Sequence, residues 1–406
     1  MISVEEALGI LLANLPERRV EPIPFGLALG RILAEDLVAT SDIPPFCRSG
    51  VDGFAVSATD AANAPVELSI VGEIRAGGGM PDKLFPGQAM AIMTGAPVPD
   101  GANAVEMIES CEIVSPGKTV KILKPLRWNE NLAPKGSEAK AGATILKAGH
   151  RIGPAELSVM ATFGYTQANV YVKPSVAVLA TGDELVEVGS TPQLGQIRNS
   201  NAYCLSSQLS YMGIQSDYLG IARDNMEELR RKMLLGLERD VLIITGGVSM
   251  GEYDFVQDVF QDLGLEILFN KVAIKPGKPT VFARKGNKLI FGLPGNPISA
   301  LVTFECFVRP ALGRLCGIEK PELPRMKGEL LKDMRQSPGR TAYMPAWVTW
   351  QEDGWKVEPL NWKSSGDIVG FAGANATFIF PKQKDFLRQG ETVEIMLLPD
   401  YFLRQR

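Results

Sequence analysis

Residues 242–255 read LIITGGVSMGEYDF. An apolar, β-branched run stops at two adjacent glycines, and Ser249, Glu252 and Asp254 follow at once. Two readings are open. The turn is simply tight, or bare main chain lies against an anion that a metal ion bridges to the carboxylates. The surroundings bear on the choice, because strands and helices alternate on both sides. SVAVLAT (175–181) precedes the helical NAYCLSSQLSYMG (201–213), and DNMEELRRKMLLGLE (224–238) precedes DVLIIT (240–245). YDFVQDVFQDLG (253–264) sets Phe255, Val256, Val259, Phe260 and Leu263 on one helical face, and NKLIFGL (287–293) leads into NPISALVTFECFVRPAL (296–312). Such alternation predicts parallel strands with crossover helices, a doubly wound α/β domain over 173–317.

The flanks have other textures. Short β-like runs broken by Gly and Pro fill 66–125 and predict a small β domain. GPAELSVMATFG (153–164) reads as a helix opened by Pro154 and stopped by Gly164. Ser3 and Glu6 have capping-box spacing, and Val4, Ala7, Leu8, Leu11, Leu12 and Leu15 repeat as one helix face. EKPELPRMKG (319–328) reads as a linker, and the strands beyond it as a small all-β module. The expected class is multidomain α/β plus β. Its parts are a helical/mixed domain from 1–44 with 143–172, an inserted β domain (45–142), the central α/β domain (173–317) and a C-terminal β-barrel-like module (318–406).

With 406 residues, 45% hydrophobic and 22% charged, the chain has the composition of a multidomain soluble protein. A net charge of -4 gives no support for nucleic-acid or membrane-surface binding. The five cysteines are scattered with no CxxC, which argues against a disulfide framework and a structural zinc site and suits a reducing cytoplasm. Acids stand near the N-terminus where a signal peptide carries positive charge. With His150 as the single histidine, a serine-hydrolase triad or a histidine-rich metal site has little to draw on.

Ligands of open α/β sheets bind at the carboxyl ends of the strands. Three such ends stand out: Thr181-Gly182 followed by Asp183 and Glu184, Gly246-Gly247, and Pro294-Gly295-Asn296-Pro297 at a helix start. Glycine permits close backbone approach, and a helix start offers unpaired N–H donors and a positive dipole end. Lys275 and Lys278, spaced by Pro-Gly, can set two charges on the same anion. Taken singly, a Gly-Gly is an ordinary turn, KPGKP a solvated loop and Asp254 a helix cap. Together they favour a phosphate-containing ligand. Asp183, Glu184, Asp224, Glu252 and Asp254 would repel it unless a cation intervenes, and Mg2+ suits such oxygen ligands.

The ordered motifs DIPPFCRSGVDGFAV, AIMTGAPVPDGANAVEMIE, TGDEL, ITGGVSMGEYD, IKPGKP, GLPGNPISA, SPGR and SSGDIVGFAGAN span nearly the whole chain. They resemble those of the molybdopterin molybdenumtransferases, a family that includes the C-terminal part of gephyrin. The resemblance implies the last step of molybdenum cofactor assembly: Mg2+-dependent conversion of adenylylated molybdopterin and molybdate to the cofactor, with release of AMP. It implies a homodimer, with each site formed by the α/β domain of one subunit and the β domain of the other. It leaves room for contact with the molybdopterin adenylyltransferase and recipient molybdoenzymes. Carried over position by position, Asp52, Thr94, Glu138, Asp224 and Asp254 fall in catalytic positions and Asp183, Glu184 and Asp254 in metal positions. Gly182, Gly246, Gly247, Ser249, Lys275, Lys278, Pro294, Gly295, Asn296, Pro297 and Ser365 fall in substrate-binding positions.

The chain departs from the family pattern where an arginine becomes Ala133, an aspartate becomes Glu138, an acid before RSGVDG becomes Cys47, and the signature methionine becomes Val51. Loss of the arginine is expected to weaken oxyanion capture, and the choice between molybdate and tungstate stays open. A non-catalytic or tungstate-selective paralogue is the alternative reading. The adenylyltransferase is a more distant one, since it is essentially the α/β unit alone.

Overall fold

The computed structural model describes residues 1–247 and 255–404, which form two compact units. One comprises Met1–Ile23, Gly30–Ala34 and the chain from Asn169 onward; the other comprises Pro24–Leu29 and Glu35–Ala168. This division is coarser than the four-part reading.

In the first unit, β1 (Val176–Thr181), β2 (Ser216–Ala222), β3 (Val241–Thr245), β4 (Glu266–Phe269), β5 (Val281–Lys285) and β6 (Lys288–Leu293) form one sheet. Their order is β2-β1-β3-β6-β5-β4. Val176, Val178, Val241 and Ile243 face one apolar cluster, while Ala177, Leu179, Leu242 and Ile244 face another. Successive side chains point to opposite faces, so burial on both sides demands a continuous apolar run. The helix Asn201–Tyr211 packs in the first cluster; Met226–Gly236 and Phe255–Asp262 pack in the second through Leu229, Met233, Val256, Val259 and Phe260.

The sheet is not wholly parallel. β5 runs antiparallel to both neighbours, because only Gly286-Asn287 joins it to β6, too short a link for a crossover. The helix Val4–Ala13 carries the expected Ser3–Glu6 capping box. Its Val4, Ala7 and Leu11 are buried in the cluster that holds Phe304 and Phe307, so it packs with the α/β unit rather than with 143–172.

The C-terminal strands close on themselves. Thr341–Gln351, Gly354–Pro359, Arg325–Leu330, Thr392–Leu397 and Ala376–Phe380 pair in that order, and the last returns to the first. Val348, Val357, Phe378 and Ile395 fill the barrel. Its first strand in chain order, Arg325–Leu330, begins inside the stretch read as a linker (319–328), and its Gly328 and Leu330 are buried.

The second unit holds a six-stranded sheet ordered Ala104–Met107, Gly53–Val56, Gln88–Ile92, Val66–Ile74, Thr119–Ile122, Cys111–Ser115. All its pairs are antiparallel except Val66–Ile74 with Gln88–Ile92. The helix Pro154–Thr162 has proline in its first turn, as expected. No helix among the described residues is long and apolar enough to cross a membrane.

Candidate active site

β1 has β2 on one side and β3 on the other, so the chain reverses its winding between β1 and β3. A cavity of about 550 Å³ opens there, at the carboxyl ends of the strands. Gly182, Glu184, Asp224, Gly246, Gly247, Pro294, Gly295, Asn296 and Pro297 line it.

The paired glycines answer the opening question in part. Gly246 and Gly247 have φ of 92° and 58°, and a Cβ on Gly246 would lie 2.3 Å from the Thr181 carbonyl oxygen of the neighbouring strand. Their first duty is close passage of main chain past Thr181. The N–H of Gly246 donates to Leu293 O (3.1 Å) and that of Gly182 to Ala222 O (3.2 Å). These two donors are spent within the protein and do not point at a ligand, contrary to the expectation for strand-end glycines.

Other polar groups shape the cavity. Asn201 Nδ2 donates to Thr245 Oγ1 (2.8 Å) and to Gly295 O (2.7 Å), tying the end of β3 to the loop after β6. Thr181 Oγ1 is buried at the cavity wall with no hydrogen-bond partner among the described residues. A buried hydroxyl without a partner is uncommon, and this one lies against the Gly246-Gly247 main chain. Asn201 and Thr245 went unread in the sequence; for Asn201 the polar RNSN (198–201) before an amphipathic helix was the available signal.

Ser365 docks on the helix start at Pro297. Ile298 N donates to Ser365 O (3.1 Å) and Asn296 Nδ2 to Ser365 Oγ (3.0 Å). One of the orphan donors expected for an anion is thereby taken by the barrel module.

A second cavity of about 410 Å³ shares Pro279, Pro294 and Asn296 with the first. Lys275, Lys278, Arg340 and Lys363 line it, and no acid among the described residues does. Lys275 Nζ donates to Gln336 Oε1 (2.6 Å). Burial, and then the Arg340 guanidinium, hold its ammonium below the usual lysine range. The two lysines thus share one cavity as expected, joined by two cations from the barrel module that sequence reading missed.

The acids gather at the rim. Asp224 N donates to Asp183 Oδ1 (3.2 Å), and Glu184 lies over Gly182. Burial pushes the Asp224 carboxyl above its ordinary range, and the charges of Asp183 and Glu184 add to it. A hard cation would relieve that repulsion, so the donor chemistry fits Mg2+. Among the described residues no three acids, histidines or cysteines approach closely enough to cage an ion. An ion here would draw most of its oxygens from phosphate and water. Ser249, Glu252 and Asp254 lie outside the described residues.

In the β unit, Asp52 Oδ1 accepts from Thr94 N (2.7 Å). Glu138 pairs with Arg48 through Nη2–Oε1 at 2.7 Å. The segments around these residues are knitted together: Gly95 N donates to Ser49 O, and Gly50 N to Asn131 O. Asp52, Thr94 and Glu138 are therefore carried by interlocked main chain. All five cysteines are unpaired, and burial raises their thiols, Cys111 and Cys306 to about 12 and Cys204 and Cys316 to about 11. None is poised as a nucleophile.

Residues 2–164 match the family described as MoeA N-terminal region (domain I and II), 177–314 a "Probable molybdopterin binding domain", and 327–398 the MoeA C-terminal region (domain IV). The molybdopterin molybdenumtransferase of Staphylococcus epidermidis is 37% identical over 403 residues, covering 98% of this chain and 95% of its own length. A Staphylococcus aureus protein of the same name is 36% identical over 402 residues, with 98% and 95% covered. Two crystal structures of a molybdopterin biosynthesis MoeA protein from Pyrococcus horikoshii superpose with TM-scores of 0.84 and 0.83. They are 32% and 29% identical, covering 98% of this chain and 99% and 100% of theirs. These matches, over an α/β domain with a switch-point cavity, a barrel module and a separate β unit, define the class as enzymes of molybdenum cofactor biosynthesis. The chain belongs to the molybdopterin molybdenumtransferase family.

Proposed function

We propose that this protein inserts molybdate into adenylylated molybdopterin with release of AMP, in a Mg2+-dependent reaction. The observation that carries the reading is the pair of adjoining cavities: one rimmed by acids at the switch point, the other ringed by four cations and free of acids among the described residues. Thr181, Asn296 and Gly295 suit the pterin nucleotide with its phosphates. Lys275, Lys278, Arg340 and Lys363 suit a tetrahedral oxyanion. Asp224, beside Asp183, would lend Mg2+ part of its oxygens, with phosphate and water supplying the rest; bound there, the ion would supply polarisation of the phosphoanhydride and charge neutralisation as AMP departs. The resemblance puts Asp52, Thr94 and Glu138 in catalytic positions, with each site of a homodimer shared between the α/β domain of one subunit and the β domain of the other. We take the protein to act in the cytoplasm as a homodimer; five unpaired thiols suit that compartment, and chromatography with light scattering tests the dimer.

The test is AMP release and cofactor formation from adenylylated pterin, molybdate and Mg2+. Asp224→Asn should lower turnover by roughly 100-fold while the protein stays folded. Its carboxyl has a raised folded pKa, so its stability contribution is present at low pH and lost as pH rises through that raised value. Removing the charge therefore relieves repulsion at neutral pH. In the wild type, Mg2+-dependent activity should fall as pH drops through the raised Asp224 range. Absence of AMP release from the wild type overturns the reading.

A further inference from the structure

Lys275 stands out in the cation cavity because of what its ammonium touches. Among the described residues its one hydrogen-bond partner is Gln336 Oε1, at 2.6 Å, and Gln336 lines the same cavity. An ammonium taken partly out of water is commonly paired with a carboxylate. Here a neutral amide takes that place.

We propose that Gln336 is a positioning residue for the oxyanion substrate: its amide oxygen holds the Lys275 ammonium at the cavity and, being uncharged, leaves the positive charge whole for a doubly negative ligand. This rests on the proposed function and adds to it the residue that keeps the cavity fit for a dianion. Three observations support it. The amide is held at both of its ends. Oε1 also accepts from Ser337 N (3.0 Å), and Nε2 donates to Met344 Sδ (3.6 Å), so the oxygen is the end turned to the lysine. The main chain on both sides is tied as well. Gln336 N donates to Asp385 O (3.0 Å), and Lys275 pairs in register with Ala342, two residues before Met344 on the barrel strand Thr341–Gln351. Finally, the charge balance is one-sided. Lys278 on the same loop, Arg340 ahead of the barrel strand and Lys363 line the cavity with Lys275, and no acid among the described residues does. An ammonium has three N–H donors; one goes to Gln336 and two remain for an anion. A carboxylate at position 336 would satisfy the lysine better, and for that reason would cancel the charge that an oxyanion needs.

A purely structural role predicts something different. Oε1 would then serve only as an acceptor for Ser337 N, and Gln336→Glu, which keeps an oxygen there, would bind molybdate as well as wild type does. Under the proposal Gln336→Glu holds or raises the melting temperature, through a new ion pair with Lys275, yet weakens molybdate binding roughly 10-fold or more. Titration calorimetry with molybdate alone measures this without turnover. Gln336→Met removes the acceptor without adding charge and should weaken binding only about 3-fold. It should also move the pH at which affinity is lost to lower values, because an ammonium without an acceptor gives up its proton more readily. The KM for the pterin nucleotide should change less than about 2-fold in both variants. A folded Gln336→Glu protein that binds molybdate like wild type overturns the inference, as does an unshifted pH profile in Gln336→Met. Lys275→Ala separates this failure from a larger one. If that variant binds molybdate as tightly as wild type, or wild type binds none, the proposed use of the cavity fails, and this inference with it.

Discussion

Lys275→Ala should lower turnover by about 100-fold or more and leave the protein as stable as before, or slightly more so. Lys275 sits with Lys278, Arg340 and Lys363 around one cavity, without an acid among the described residues that line it. Its ammonium is already held below the usual range by burial first and by Arg340 second. A base with a depressed folded pKa costs stability once pH falls below its unfolded value, and that cost persists at neutral pH. Truncation removes the cost. It does not orphan Gln336, whose Oε1 still accepts from Ser337 N at 3.0 Å. An anion bound in the cavity would raise the lysine pKa again, so binding should take up protons at alkaline pH. Molybdate affinity should therefore strengthen as pH falls through the window below the usual lysine value. Calorimetry in buffers of different ionisation enthalpy measures the uptake; thermal melts and steady-state rates measure the rest. A large drop in melting temperature would instead make Lys275 a structural residue.

The central strands were legible because both of their faces are covered. Val176–Thr181 and Val241–Thr245 carry apolar or β-branched residues without interruption, and few other local structures call for that pattern. β2 and β4 escaped for the opposite reason: SDYLGIA and EILF are half-exposed strands at the two sheet edges, with little contrast to read. The reversal of β5 was written in the sequence as KGNK, a two-residue hairpin signal between apolar runs. In the site, the glycine loops and the two lysines announced themselves by local spacing. Arg340 and Lys363 did not, because only closure of the barrel brings them to a cavity shared with Lys275.

The glycines of LIITGG and LPGN look alike in sequence, and the structure separates them into a prediction. Gly246→Ala should destabilise the protein by about 3 kcal/mol, from a left-handed backbone that L side chains resist (~1–2 kcal/mol) and a Cβ forced against Thr181 (~1–3 kcal/mol). Its φ is 92°, and the atom met at 2.3 Å is main-chain oxygen at the end of β1, which a side-chain rotation does not relieve. Gly295→Ala should cost almost nothing in stability. Among the described residues a Cβ there would meet only Gly246 Cα, at 3.5 Å, an ordinary van der Waals contact. Yet Gly295 lines the switch-point cavity, and a methyl would intrude where the pterin nucleotide is proposed to approach the main chain. Turnover should fall by roughly 10-fold with the melting temperature unchanged. Thermal melts and AMP release on the two variants separate the roles: stability lost at 246, activity lost at 295. A fully active Gly295→Ala protein would mean that the nucleotide does not touch this loop. The anion reading of the strand-end glycines would then reduce to the packing demand already seen at Thr181.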